Sequence, residues 1–168
     1  MLSMLAKLLK ALNSDASPAQ IAIAFSMALI VALTPFFSFH NLIVILLAFV
    51  LRVNLGAFFV GMAAFSGLAW FIDPYTSRLG ESLLTNPELQ VLWTNLYQSH
   101  FWRMTAFNHS LVLGGLIVAL IAFIPVFFLA KYLIIKYRAT LLVWIQKFRV
   151  VQILKGTKFY RLYQSIAE

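Results

Sequence analysis

The chain has 168 residues, 62% of them hydrophobic and 11% charged, with a mean hydropathy of +0.91 and a formal net charge of +8. A soluble domain of this length could not bury that much apolar surface, so lipid is the expected solvent and the length suits one small bundle. Zero cysteines exclude disulfide, thiolate-metal and cysteine-nucleophile chemistry.

From the first residue, Leu2, Leu5, Leu8, Leu9 and Leu12 recur at helical spacing with Lys7 and Lys10 between them, which predicts an amphipathic interfacial helix over 1–13. No small-residue cleavage site follows, so the stretch is expected to stay with the protein. The membrane domain is expected over 14–130. Its first helix is announced by Ser17-Pro18-Ala19-Gln20, a capping-box pattern, and should end near Thr34 because Pro35 follows.

A second, shorter apolar helix spans about Asn41 to Leu51. Joined through Pro35 to His40, the pair predicts either two thin crossings or a re-entrant hairpin. The re-entrant form is preferred, its non-helical tip covered by protein or a wet cavity. Either way Arg52 returns to the starting side.

The third helix is expected from Asn54 to Ile72, with Ala57, Gly61 and Ala64 on one face and Ala63 and Gly67 on an adjacent one, spaced for close helix packing. Asp73-Pro74 predicts a terminating turn. Residues 73–108 carry Asp73, Glu81 and Glu88 against Arg78 and Arg103 and form the expected non-cytoplasmic connection. Within it Asn86-Pro87-Glu88 should open a helix bearing Leu89, Leu92, Trp93, Leu96, Tyr97 and Phe101 as an interfacial stripe.

The last span is expected from His109 to Ala130, bent or distorted near Pro125. Eight of the thirteen Lys and Arg residues follow it: Lys131, Lys136, Arg138, Lys147, Arg149, Lys155, Lys158 and Arg161. That placement predicts a cytoplasmic basic tail, 131–168, and argues against nucleic-acid binding. Tyr132, Tyr137, Trp144, Phe148, Tyr160 and Tyr163 alternate with those cations, as suits a helix along the inner leaflet or on a partner. The expected fold is therefore an all-α integral membrane protein. It has two full spans plus a re-entrant helical hairpin, or four short spans, with interfacial helices and both termini cytoplasmic.

Ionisable or polar groups in apolar runs are expensive, so the few present are the site candidates: His40, Asn41, Arg52, Asn54 and Asp73. The first two can cap a buried turn or line a headgroup or ion site. Arg52 can snorkel at a boundary or hold a lipid phosphate. His40, His100 and His109 are scattered, and no HExxH, GxSxG or phosphate-binding glycine loop occurs. No metal, cofactor or enzymatic activity is expected.

Ser17-Pro18 with Ile21-Ala22, Pro35, Leu51-Arg52-Val53-Asn54, Asp73-Pro74 and Leu79-Gly80 together resemble a family of small bacterial inner-membrane proteins catalogued as a conserved domain of unknown function. The resemblance covers about residues 14–85 and implies location and a shared core. The leading functional expectation is a non-catalytic subunit that anchors or assembles a larger envelope complex. Alternatives are lipid transfer between the inner membrane and a periplasmic partner, or a small oligomeric transporter or channel. Expected partners are membrane lipids and another membrane or periplasmic protein, with a homo-oligomer as a further form.

Overall fold

A computed structural model describes residues 16–141, and these are all-helical. The expected helix over 1–13 and the tail beyond Leu141 lie outside the described residues. The chain divides into two compact units, with the boundary in the sequence between Lys131 and Tyr132.

Helix α1, Pro18–Ala32, starts on the expected capping box: Ser17 Oγ accepts from the Gln20 amide at 3.2 Å, and Gln20 Oε1 accepts from the Ser17 amide at 2.9 Å. It is buried on nearly every side, from Ile21 to Val31. Helix α2, Phe39–Val50, is the opposite case. Only Asn41 and Ala48 are buried, while Leu42, Ile43, Leu46, Leu47 and Phe49 face outward.

Helix α3 runs Leu55–Leu84, straight through Pro74, where the sequence predicted a stop. Proline removes one amide donor and crowds the preceding turn. Here packing outweighs that local cost, because Thr76 and Gly80, just beyond it, are both buried. Near its start, α3 lies against α1: a methyl group placed on Gly61 would meet Phe25 Cδ1 at 2.8 Å and Ala28 Cβ at 3.1 Å. Phe25 and Phe65 also pack edge-to-face, 6.3 Å apart.

Helix α6, Ser110–Lys136, runs on past the predicted end at Ala130 and carries Pro125 in its interior. Its glycines let it touch backbone. A Cβ on Gly114 would strike the Thr76 carbonyl, one on Gly115 the Leu33 carbonyl, and one on Gly80 of α3 the Ser110 carbonyl. Leu29 and Ile30 of α1, its C-cap Leu33, Ala69 of α3 and Ala119 of α6 form a buried cluster, with Val44 of α2 packed beside it. The contacts order the chain as α1 up, α2 down, α3 up and α6 down.

The α3–α6 connection does not form one helix. A 3-10 turn, Pro87–Leu89, is capped by Asn86 Oδ1, which accepts from the Glu88 amide at 3.0 Å. Helices α4, Gln90–Gln98, and α5, His100–Met104, follow. Of the predicted stripe, Trp93 is the fixed point. Its indole N–H donates to the Leu83 carbonyl at 2.8 Å and its ring stacks on Phe107.

In the second unit, the end of α6 continues into a π-helical turn, Tyr137–Leu141. The Lys136 ammonium sits 5.8 Å from the centre of the Tyr132 ring. Among the described residues, two helices are long and apolar enough to cross a membrane, Leu55–Leu84 and Ser110–Thr140.

Candidate functional site

The polar candidates sort to two ends of the α1–α2 hairpin. At the apex, Thr34 and Asn41 are both buried and His40 is half-buried. Asn41 Nδ2 donates to the Pro35 carbonyl at 3.0 Å and to the Phe36 carbonyl at 3.4 Å, which assigns its Oδ1 to the Thr34 hydroxyl, 3.0 Å away. The same hydroxyl lies 2.9 Å from the Ile30 carbonyl and 2.9 Å from His40 Nε2. A hydroxyl has one proton, and two of these neighbours can only accept. These neighbours are all satisfied when His40 donates from Nε2, and the N–H is assigned to that nitrogen on this ground. Ser38 Oγ completes the knot by donating to the Pro35 carbonyl at 2.6 Å.

At the base, the turn after α2 is a Schellman motif: the Arg52 amide donates to the Phe49 carbonyl at 3.1 Å and the Val53 amide to the Ala48 carbonyl at 3.2 Å. That motif wants a left-handed residue, usually glycine, between them. Arg52 fills the place with φ 50°. It is exposed, and its guanidinium has no partner among the described residues. Asn54 is a helix cap, its Oδ1 accepting from the Ala57 amide at 2.8 Å.

Asp73 lies on α3, half-buried, with its carbonyl accepting from the Thr76 hydroxyl at 3.1 Å. Through Thr76, Gly114, Gly115 and Leu33 it stands near the level of the apex, although no bond joins it to His40 or Asn41. The structure thus groups His40, Asn41 and Asp73 at one end and Arg52 and Asn54 at the other. Among the small residues, Ala57 and Gly61 are buried, Gly61 against Phe25 and Ala28 of α1. Ala64 and Gly67 face outward, with open space around the Gly67 position.

Sequence reasoning missed Thr34, the centre of the knot, and the meeting of Gly80 with Ser110. Thr34 has a local signal, a hydroxyl residue immediately before a helix-stopping proline, where it can bond back to the last turn. Gly80 has none beyond being a glycine inside a helix.

The sequence profile of the family described as "Uncharacterized protein conserved in bacteria (DUF2062)" matches residues 3–141. The chain belongs to this family. Among relatives, an "Uncharacterized protein" of Treponema pallidum (strain Nichols) is 28% identical over 141 residues, 84% of this chain and 87% of the relative. No solved structure matches. The family match runs well past the motif residues that end at Gly80 and takes in both glycines of α6.

Proposed function

We propose that the chain is a multi-pass protein of the bacterial inner membrane with both termini cytoplasmic. In this reading α3 and α6 cross fully, and the α1–α2 hairpin is either re-entrant or a pair of short crossings. Only 28% and 22% of the most apolar windows of the two long helices are buried, so most of their apolar surface requires a lipid-like solvent. The basic residues after α6 supply the orientation.

Its role in this reading is that of a non-catalytic subunit that anchors or assembles a larger envelope complex. The supporting observation is the face of α3 that α1 leaves uncovered: Ala63, Ala64 and Gly67 are exposed, and nothing among the described residues lies within 4 Å of a Cβ placed on Gly67. Small residues there admit another transmembrane helix at close range. Replacing Gly67 by Leu should release a protein that co-purifies with the wild type in mild detergent, while the variant accumulates normally. Unchanged co-purification would overturn the reading. Lipid handling is the second reading, favoured by the exposed Arg52 guanidinium, which has no partner among the described residues and suits a lipid phosphate. It expects Arg52→Ala to weaken binding of anionic lipid.

A further inference from the structure

We propose that the apex of the α1–α2 hairpin lies in the headgroup layer on the same side as the α3–α6 connection, with Phe36 and Phe37 as its contact surface for interfacial lipid. The hairpin is then two complete short crossings. This rests on the reading of α3 and α6 as spans and chooses between the two forms left open for the hairpin.

Three independent observations carry it. The first is depth. Gly114 and Gly115 are consecutive on α6, about 1.5 Å apart along its axis, and they abut the carbonyls of Thr76 and Leu33 respectively. Leu33, the last residue before the apex, is therefore level with Thr76. By Thr76 the sequence of α3 has already turned polar, after an apolar run from Leu55 to Ile72 followed by Asp73, Thr76, Ser77 and Arg78. That run rises about 27 Å at roughly 1.5 Å per residue, close to a hydrocarbon core of about 30 Å. The apex stands where α3 leaves the core, not halfway through it.

The second is contact. Phe39, the first residue of α2, packs edge-to-face on Phe101 of α5 with ring centres 5.8 Å apart. Helix α5 belongs to the hydrophilic connection, so the apex reaches the layer that this connection occupies.

The third is hydrogen bonding. The side-chain knot serves the Pro35 and Phe36 carbonyls, but the amides of Phe36 and Phe37 donate to nothing among the described residues. Ser38 provides no side-chain cap for the start of α2. Phe36 is 53% exposed and Phe37 98% exposed, so both residues stand at the surface of the described structure. In hydrocarbon each free amide costs several kcal/mol, whereas the headgroup layer supplies water. Tryptophan favours that boundary, and Trp102 stands exposed in the neighbouring α5, while apolar rings such as Phe36 and Phe37 at a protein's edge bury into the junction of headgroups and acyl chains.

The chain has no cysteine, so single cysteines report one place each. Phe37→Cys, Glu88→Cys and Gly67→Cys would be compared in the full-length protein. In intact cells an impermeant maleimide should label Phe37→Cys and Glu88→Cys from the same side and leave Gly67→Cys protected. Spin labels at the same positions, in vesicles of phosphatidylethanolamine and phosphatidylglycerol, should place Phe37 at the headgroup boundary, shallower than Gly67 and deeper than Glu88. A Phe37 label as deep as Gly67, or modified from the side opposite Glu88, would establish the re-entrant form and overturn the proposal while leaving the two spans intact. A Phe37 label as aqueous as Glu88 would remove lipid as the occupant and leave the surface to a protein. A Gly67 label freely exposed to water would instead sink the underlying reading of α3 as a span.

Discussion

At the apex, between Leu33 and Asn41, one backbone bond closes the turn, from the Ser38 amide to the Pro35 carbonyl, and side chains do the rest: a threonine hydroxyl, a histidine ring and a buried amide hold the carbonyls of Ile30, Pro35 and Phe36. At the base, between Leu51 and Asn54, it reverses on backbone bonds, with one side-chain cap added by Asn54. The two turns bound the same short helix, α2. Side-chain bonding concentrates dependence on a few residues, while backbone bonding spreads it and leaves residue 52 free to be chosen for something other than the turn.

The comparison breaks most readily at Asn41. It is fully buried and its amide bonds three groups, so Asn41→Leu removes three bonds at once: the Phe36 carbonyl loses its side-chain donor, while the Pro35 carbonyl keeps Ser38 and the Thr34 hydroxyl keeps Ile30 and His40. Stability should fall by about 2–4 kcal/mol, the range for a broken buried polar network. Denaturant titration in detergent micelles would measure it, and a loss under about 0.5 kcal/mol, the level of an ordinary surface change, would mean that the apex does not depend on this knot. At the base, Asn54→Ala removes one cap from a helix that keeps all its packing. The expected loss is about 1 kcal/mol by the same titration. A loss as large as that for Asn41→Leu would erase the distinction between the turns.

Local signals were legible where one residue acts on its near neighbours. Ser17 and Gln20 form the capping box that their spacing announces, and Pro35 ends α1 on schedule. Legibility failed where distant segments decide. Pro74 reads as a stop, but burial of Thr76 and Gly80 carries α3 on to Leu84, and the partner that buries them, the start of α6, is some thirty residues away. The polar candidates show the same division. Asn54 as a cap follows from its position before a helix, whereas the use of His40 as a donor depends on Thr34, Asn41 and Ile30 meeting in three dimensions. The left-handed backbone at Arg52 has no sequence signal at all, since arginine is an unusual occupant of that conformation.

The smallest expected effect is also the one of opposite sign. A side chain in the left-handed region costs about 1–2 kcal/mol, and glycine escapes that cost while losing more entropy on folding, so Arg52→Gly should stabilise the protein by about 0.5–1 kcal/mol net. Arg52→Ala keeps the strained backbone and should give no gain, which separates the backbone term from removal of the charge. If the glycine variant is more stable and yet binds anionic vesicles less well, the guanidinium serves the membrane surface at the expense of the fold, the pattern of local strain held at a working position. If it is more stable and binds as the wild type does, Arg52 is a boundary residue and lipid handling loses the observation that favours it. A glycine variant that is less stable would mean that the arginine stem packs against something the turn requires, and the contrast between a side-chain apex and a backbone base would have to be given up.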